Sequence, residues 1–179
     1  MLSSPVSEVV RDSDGIKVYH DKDKEPQQFD KVIFATHSDQ ALSLLKDPSE
    51  KELSILGSLP YQKNIAILHT DVSLMPKIKT TWSSWNYLLS SDQGKPVTLT
   101  YNMNILQSLD AKPDFLVTLN STGEIDTTKI IKKIEYHHPL FTVDGVQAQS
   151  RKKEISGINN TFYCGAYWGN GFHEDGVNS

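Results

Sequence analysis

The C-terminal stretch, residues 161–179, constrains the fold most, because it joins a strand, a glycine-rich loop and a helix start. Residues 161–164 are β-branched and aromatic, which is typical of a buried strand. Gly165, Gly169 and Gly171 follow, and glycine lets a backbone approach a ligand closely. Glu174 and Asp175 are acidic residues of the kind that begin a helix. This succession is a common ligand-holding arrangement, because a helix start carries unpaired amides.

Composition excludes several classes of protein. The chain has 179 residues and a formal net charge of −4, and it has no basic block, which argues against nucleic acid as a partner. No apolar run approaches the roughly 20 residues of a membrane span, so no transmembrane segment is expected. The N-terminus has neither a basic nor an apolar signal region. The single cysteine, Cys164, allows no internal disulfide, and a cytoplasmic location is expected.

The first part of the chain reads as strands followed by helices. Residues 6–10 and 16–20 predict two strands joined by a hairpin turn at 12–15. Residues 31–35 form a nearly continuous apolar run, which predicts a strand buried on both faces. A helix is expected over residues 40–45, with Ser38 or Asp39 as N-cap, and a second over residues 49–56.

The middle of the chain predicts a different architecture. Strands are expected at residues 63–69, 96–102 and 115–120, without long helices between them, which favours an antiparallel sheet. Residues 126–134 predict a short helix, since three isoleucines lie at helical spacing. Residues 146–155 fit either a helix or a loop.

Several motifs together resemble a known family. Residues 164–167 and 171–177 are similar to the C-terminal flavin-binding segment of the FAD-dependent amine oxidase superfamily. Residues 29–42 are similar to the strand and turn near its flavin dinucleotide. Residues 82–87 and 101–107 are similar to motifs of a closer group, the predicted NAD/FAD-binding amine oxidoreductases associated with cyclopropane fatty acid synthase.

The resemblance implies an α+β fold in which an antiparallel-sheet substrate domain is inserted into an incomplete, Rossmann-like FAD-binding domain. Residues 1–45 and 157–179 would belong to the FAD-binding domain, and residues 46–156 to the substrate-binding domain. The superfamily's Gly-x-Gly-x-x-Gly turn, which holds the pyrophosphate, does not occur in the sequence. We therefore expect a C-terminal part of a longer protein, with the N-terminal FAD-binding part absent, or supplied by a separate chain.

The resemblance also implies which residues contact FAD. Val6 matches a position facing the adenine, and Gly165 matches a glycine beside the pyrophosphate. Tyr167 stands where the superfamily often has an acidic residue, and Phe172 matches one wall of an aromatic cage. Taken alone, Val6 reads as an ordinary strand valine and Gly165 as a turn glycine. The expected cofactor-binding residues are Val6, Ala35, Thr36, Gly165, Ala166, Tyr167, Gly171, Phe172, His173 and Glu174.

A second set of residues is expected to line a substrate pocket, although aromatic residues there fit a half-buried strand equally well. The set comprises Trp82, Trp85, Asn86, Tyr87, Tyr101, Asn104 and Phe172. No metal site is expected, because His137 and His138 are adjacent in a strand and would point to opposite faces. The Gly-x-Ser-x-Gly motif of a hydrolase does not occur, and Cys164 reads as a packing residue. No catalytic residue is assigned.

The expected function is therefore that of a C-terminal part of an FAD-dependent oxidoreductase of the amine oxidase type, with hydride transfer from substrate to flavin. The parent protein would be the enzyme, and this part alone would be inactive. The association of the closer group with cyclopropane fatty acid synthase suggests a lipid or fatty acyl substrate. The alternative is a non-enzymatic α+β module that binds a partner or an apolar ligand without FAD.

Overall fold

A computed structural model describes residues 3–20, 25–89, 98–121 and 125–179. The chain forms two compact units. The discontinuous unit comprises Met1–Gln62 and Pro139–Ser179, and the continuous unit comprises Lys63–His138. The assignment of these units to a flavin-binding and a substrate domain stays a prediction.

The strands and helices are numbered here in chain order. The strands are β1 (Val6–Asp12), β2 (Gly15–His20), β3 (Gln27–Phe29), β4 (Val32–Phe34), β5 (Tyr61–His69), β6 (Trp85–Leu88), β7 (Thr98–Asn102), β8 (Leu116–Leu119), β9 (Ile130–Pro139) and β10 (Thr161–Tyr163). The helices are α1 (Ser38–Leu44), α2 (Glu50–Gly57), α3 (Met103–Leu106), α4 (Val143–Ser150) and α5 (His173–Asn178).

In the discontinuous unit, β1, β2 and β3 form an antiparallel sheet in that order. The predicted hairpin between β1 and β2 is confirmed, with Asp12 paired to Gly15. Gly15 has a φ of 122°, a left-handed backbone conformation that favours glycine. The Asp12 side chain accepts a hydrogen bond from Asp14 N, as short polar residues in turns commonly do.

β4 and β10 form a separate two-stranded parallel sheet. The rings of Phe34 and Tyr163 stack at 5.6 Å, and both side chains are buried. Ile33, on the opposite face of β4, is 66% exposed. The prediction that this strand is buried on both faces is therefore wrong, since only the face of Phe34 is covered.

The predicted helices α1 and α2 are confirmed, but the N-cap of α1 is His37 rather than Ser38 or Asp39. Ser38 is the first helical residue, and its side chain is buried. Ser49 caps α2 by accepting a hydrogen bond from Glu52 N, an arrangement that stabilises a helix start. Together with the sheets, α1, α2 and α4 enclose the core, whose buried members are Val9, Ile16, Phe34, Ala41, Leu45, Ile55, Leu56, Ala148, Ile155 and Tyr163.

A buried ion pair joins distant parts of this unit. The Arg11 guanidinium on β1 donates to both carboxylate oxygens of Glu52 on α2, at 2.6 and 3.0 Å. Tyr163 Oη donates to Glu52 Oε1 at 2.6 Å, and Ser49 donates through its amide and its hydroxyl. Burial would raise the pKa of Glu52, but the bonds from Arg11 and Tyr163 outweigh it and lower the pKa to about 2. The carboxylate is therefore ionised and fully bonded.

The continuous unit contains a five-stranded sheet with the order β6-β7-β8-β5-β9. The pairs β6–β7, β7–β8 and β8–β5 are antiparallel, which confirms the predicted antiparallel sheet. The short helix predicted over residues 126–134 is wrong. Only Thr127–Lys129 form a 3-10 turn, and the isoleucines that follow lie in β9. β-branched residues suit a strand, and pairing with β5 makes this segment a strand rather than a helix.

One face of this sheet carries a buried polar chain. His69 Nε2 lies 2.7 Å from Thr118 Oγ1, which lies 2.9 Å from Thr100 Oγ1. His69 Nδ1 accepts a hydrogen bond from Asp71 N, so Nε2 carries the proton and donates to Thr118. Burial lowers the pKa of His69, and the neutral ring is the form that this chain requires.

Candidate functional site

Two cavities of the discontinuous unit adjoin at the turn Ala35–Thr36, because both residues line each of them. Their volumes are about 440 and 450 Å³. The first is largely apolar and is lined by Val6, Val9, Val18, Val32, Ile33, Phe34, Ala35, Thr36, Gln40, Ser43 and Leu44. The second is lined by Ala35, Thr36, His37, Gln40, Tyr61, Pro139, Gly165, Ala166, Tyr167 and Gly171.

The position of the turn follows from the parallel pairing of β4 with β10. Ala35 and Thr36 follow the carboxyl end of β4, and Gly165 follows that of β10 closely. The backbone N–H of Cys164 donates to Phe34 O at 3.0 Å, which keeps the carboxyl ends of β4 and β10 side by side. Ligands of parallel sheets bind outside the carboxyl ends of the strands, so the two cavities lie where that rule places a ligand.

The loop after β10 is held in a tight conformation. A side chain on Gly165 would overlap the ring of Tyr167, so glycine is needed for this close approach. Gly171, with a φ of 89°, donates its backbone amide to Ala166 O at 3.2 Å. From α4, Gln149 Nε2 donates to Tyr167 O at 2.9 Å and to Gly169 O at 2.7 Å. The side chain of Gln149 therefore fixes the loop that lines the second cavity.

Two polar atoms of this loop are buried without a hydrogen-bond partner among the described residues. They are the hydroxyl of Tyr167 and Nε1 of Trp168. Burial raises the pKa of the Tyr167 hydroxyl, because it penalises the charged form. The hydroxyl is therefore protonated at neutral pH. Buried polar groups normally have a partner, so this pair marks an unsatisfied polar spot beside the second cavity.

Sequence reasoning missed four residues of the second cavity, namely His37, Gln40, Tyr61 and Pro139. The rings of His37 and Tyr61 stack at 4.4 Å, and Tyr61 Oη accepts a hydrogen bond from Ser38 N at 3.0 Å. Burial raises the pKa of Tyr61. His37 and Gln40 could have been found as neighbours of Thr36. No sequence signal links Tyr61 to them, because only the fold of the discontinuous unit brings Tyr61 to α1.

Seven of the ten residues expected to contact FAD line the two cavities, and three do not. Phe172, His173 and Glu174 lie at the start of α5 and are exposed. The side chain of Asp175 accepts hydrogen bonds from Asn170 N at 3.0 Å and Phe172 N at 2.9 Å. This capping closes the glycine-rich loop onto α5 and leaves the Phe172 ring 64% exposed.

Three of the residues expected to contact substrate share one face of the sheet in the continuous unit. Trp85 pairs across strands with Tyr101, and Tyr87 lies two residues beyond Trp85 on the same face. The rings of Trp85 and Tyr101 meet edge to face at 5.6 Å. Trp85 is 53% and Tyr87 is 64% exposed. This cluster offers an aromatic surface on the sheet.

The other three expected substrate residues of this unit bond to nearby backbone. Trp82 Nε1 donates to Pro76 O at 2.8 Å. Asn86 Nδ2 donates to Ser83 O at 2.7 Å, and Asn104 Nδ2 donates to Ala111 O at 2.8 Å. Each side chain therefore stabilises a turn, whatever further contact it makes.

No three His, Cys, Asp or Glu side chains come together as metal ligands within the described ranges. His138 Nδ1 contacts Asn64 Nδ2 at 2.8 Å, and His137 Nε2 lies 4.0 Å from Glu135 Oε1. Among the helices of those ranges, none is long and apolar enough to cross a membrane.

Comparison with known proteins gives a likeness of fold. No family model matches the chain, and no curated protein matches it. A conjugated linoleic acid (CLA)-producing fatty acid isomerase from P. acnes matches 98% of the chain, with 12% identity and a TM-score of 0.64. Putrescine oxidase bound to putrescine matches 99%, with 11% identity and a TM-score of 0.62. Cyclohexylamine oxidase from Brevibacterium oxydans matches 99%, with 12% identity and a TM-score of 0.61.

The match covers only part of each of these proteins. The chain spans 45% of the isomerase and 46% of each oxidase. Its mixed fold is therefore similar to part of the fold of FAD-dependent oxidases. At identities of 11 to 12%, the likeness concerns the fold alone.

Proposed function

We propose that this chain is part of an FAD-dependent oxidoreductase and that its discontinuous unit contributes to the FAD site. One observation carries the proposal. The two cavities adjoining at Ala35–Thr36 bring together seven residues from three separate parts of the sequence that were expected to contact FAD. These residues are Val6, Ala35, Thr36, Gly165, Ala166, Tyr167 and Gly171.

The residues present fit such a cofactor. The first cavity has an apolar lining that includes Val6 and Val18, which suits an aromatic ring system. In the second cavity, the backbone of Gly165 and Gly171 forms part of the lining, and backbone groups can bond to a ligand. Tyr167 also lines this cavity, and its hydroxyl is a neutral hydrogen-bond donor.

FAD, when bound, would accept a hydride from the substrate. The chain's own contribution is to bind and orient the cofactor, with Gln149 holding the loop at Tyr167. No described residue is assigned as an acid or a base. The association of the closer group with cyclopropane fatty acid synthase suggests a lipid or fatty acyl substrate, and one solved structure of similar fold is a fatty acid isomerase, so this substrate class is preferred to an amine. The expected flavin contacts of Phe172, His173 and Glu174 belong to this proposal. So do the expected substrate contacts of Trp82, Trp85, Asn86, Tyr87, Tyr101 and Asn104 in the continuous unit.

A visible absorption spectrum tests whether the chain binds FAD. The purified protein is mixed with FAD and passed through gel filtration, and the flavin bands that stay with the protein are measured. Ala35→Glu places a negative charge on an exposed turn between the cavities, so it should repel the pyrophosphate and abolish retention. Leu53→Glu, on the exposed face of α2, is the matched control and should retain FAD. Equal retention by both variants would place the cofactor elsewhere.

A second candidate is a module that binds a partner without holding FAD by itself. The sequence supports it, because no Gly-x-Gly-x-x-Gly turn occurs to hold the pyrophosphate. In that case the wild-type chain would leave all FAD in the flow-through. The oxidoreductase function would then require a further polypeptide that carries the other part of the FAD site.

A further inference from the structure

Asn170 lies in the segment between β10 and α5, and it is the one asparagine of the sequence that precedes a glycine, Gly171. Its side chain is exposed and forms no hydrogen bond with any described residue. Its backbone N–H donates to Asp175 Oδ2 at 3.0 Å. Glycine has no side chain that would hinder an approach to its own backbone nitrogen. The amide group of Asn170 is therefore free to turn toward the nitrogen of Gly171.

The other asparagines lack at least one of these properties. Asn159 and Asn160 are exposed and have no side-chain hydrogen bond among the described residues. The residues that follow them are Asn160 and Thr161, whose side chains crowd the backbone nitrogen. The remaining asparagine side chains are held in hydrogen bonds, namely those of Asn64, Asn86, Asn102, Asn104, Asn120 and Asn178. Asn170 therefore stands apart from all of them.

Asparagine is a chemically labile residue type, and these two groups can react with each other. The Gly171 nitrogen loses its proton to hydroxide and attacks Cγ of Asn170. The new C–N bond closes a succinimide ring, and the bond from Cγ to Nδ2 breaks, so that this nitrogen leaves as ammonia after taking a proton from water. Water then opens the ring at either carbonyl carbon, which gives aspartate or isoaspartate. Water is consumed, ammonia is released, and nothing is oxidised or reduced.

The conformation of the loop slows this reaction but does not prevent it. Gly171 N donates to Ala166 O at 3.2 Å, and Gln149 Nε2 donates to Gly169 O at 2.7 Å. The Gly171 nitrogen can attack only when the loop opens locally, because its hydrogen bond must break first. Single hydrogen bonds contribute little net free energy, and Asn170 and Gly171 are both exposed. Local opening of this segment therefore has a small free-energy cost.

We propose that Asn170 is a site of spontaneous deamidation in the folded chain and that the product opens the loop that lines the second cavity. Asp175 Oδ2 accepts hydrogen bonds from Asn170 N and Phe172 N, so a carboxylate at position 170 lies close to an existing one and repels it. In isoaspartate the main chain is also longer by one atom, which separates Phe172 N from Asp175. Because Gly171 lines the second cavity, the cavity changes whatever ligand it holds. The modification itself does not depend on the proposed function.

The test follows the full 179-residue chain and a synthetic peptide of residues 166–176 in mildly alkaline buffer. Tandem mass spectrometry locates each converted asparagine, and labelling by an isoaspartyl methyltransferase detects isoaspartate. Both products should accumulate at position 170 but not at positions 159 and 160, and faster as the pH rises. The rate in the folded chain should be about tenfold below that in the peptide, since the hydrogen bonds of the loop must break before attack.

Three variants assign the effect to the loop. Gln149→Ala removes the hydrogen bonds to Tyr167 O and Gly169 O and should speed the reaction about fivefold. Gln147→Ala, at an exposed position of the same helix, is the matched control and should leave the rate unchanged. Asn170→Gln has a longer side chain that cannot close the same ring and should stay unmodified. Far-UV circular dichroism shows whether the variants fold as the wild type does.

Hydrogen exchange measured by NMR reports on the loop itself, without FAD. After conversion, the Phe172 amide of the wild type should exchange about fivefold faster than in the fresh protein, because its hydrogen bond to Asp175 is lost. The Asn170→Gln variant, kept in the same buffer for the same time, should show no change.

Three results would overturn the proposal. The first is an unmodified Asn170 in the folded chain at the time when the expected rate predicts half conversion, and the second is equal conversion at Asn160. The third is a converted chain whose Phe172 amide exchanges no faster than that of the fresh protein. FAD retention is measured on the fresh and converted samples. Fresh protein that retains no FAD would contradict the proposed function, whereas the mass spectra and the amide exchange still decide this inference.

Discussion

Replacing Glu52 with glutamine removes one negative charge and almost no volume from the centre of the discontinuous unit. The carboxylate accepts hydrogen bonds from Arg11, Tyr163 and Ser49. The side chains of Arg11 and Glu52 are only 5% and 3% exposed. An amide retains one acceptor but turns donor hydrogens toward the guanidinium. The substitution therefore leaves the Arg11 charge buried with only Asp47, which is 43% exposed, as its ion-pair partner.

The expected loss follows from the lowered pKa of Glu52. Its fall from 4.5 to about 2 corresponds to about 3 kcal/mol of stability at neutral pH. Breaking one side of a buried ion pair typically costs about 3 to 5 kcal/mol. Because Asp47 still contacts Arg11, we expect the lower end, a decrease of about 3 kcal/mol in the free energy of unfolding.

The assay is urea unfolding followed by tryptophan fluorescence. In a background with Trp82→Phe and Trp85→Phe, Trp168 is the remaining tryptophan and reports on the discontinuous unit. Glu50→Gln, at an exposed position of the same helix, is the matched control and should change stability by less than about 0.5 kcal/mol.

The pH dependence gives a second readout. The folded pKa of Glu52 lies below its unfolded value, so its contribution is present above about pH 4.5 and is lost as the pH falls toward about 2. The Glu52→Gln variant should be less stable than the wild type at neutral pH. As the pH falls from about 4.5 to about 2, the free energy of unfolding of the wild type should decrease by about 3 kcal/mol more than that of the variant. A neutral-pH effect below about 1 kcal/mol, as for a surface pair, or parallel pH profiles would refute the reasoning.

Three further predictions concern His69, Thr118 and Gly165. His69 should be the neutral tautomer protonated on Nε2, which nitrogen-15 NMR of the ring can show. Because burial lowers its folded pKa, its contribution to stability should be lost as the pH falls below about 6.5, and a ring that charges near that pH would contradict this. Thr118→Val removes the acceptor of His69 and should cost about 1 to 3 kcal/mol in urea unfolding. Gly165→Ala should cost about 1 to 3 kcal/mol, because the added methyl overlaps the Tyr167 ring. The added methyl of Gly57→Ala meets only an ordinary contact, so this control should not lower the free energy of unfolding. Equal losses of stability in the two glycine variants would contradict the overlap with Tyr167 as the cause.

Local patterns predicted the elements whose own residues determine them. The hairpin at Asp12–Gly15 needs a turn glycine, and the sequence has one there. The antiparallel sheet of the continuous unit followed from strands without long helices between them. Ser49 capped α2 because its hydroxyl and Glu52 form a local capping box.

The errors arose where distant contacts decide the structure. The isoleucines of β9 fit a helix by spacing, but the neighbouring strand β5 gives them a place in a sheet. Ile33 was expected to be buried because its neighbours are apolar, yet no described element covers that face of β4. Tyr61 reaches the candidate site through its stacking on His37 and its hydrogen bond from Ser38 N, and no local pattern encodes these contacts.

The Glu52 contacts also set an order of events during folding. Tyr163 and Glu52 are 111 positions apart in the sequence, and Arg11 and Thr161 are 150 apart. The strands β7 and β8, by contrast, pair across a much shorter loop. Closing long loops slows folding, so the sheet of the continuous unit should form first. In refolding with pulsed hydrogen exchange, amides of β7 should gain protection before those of β10. On a ribosome, β1 and α2 have to wait until β10 is synthesised before the core that they share can close.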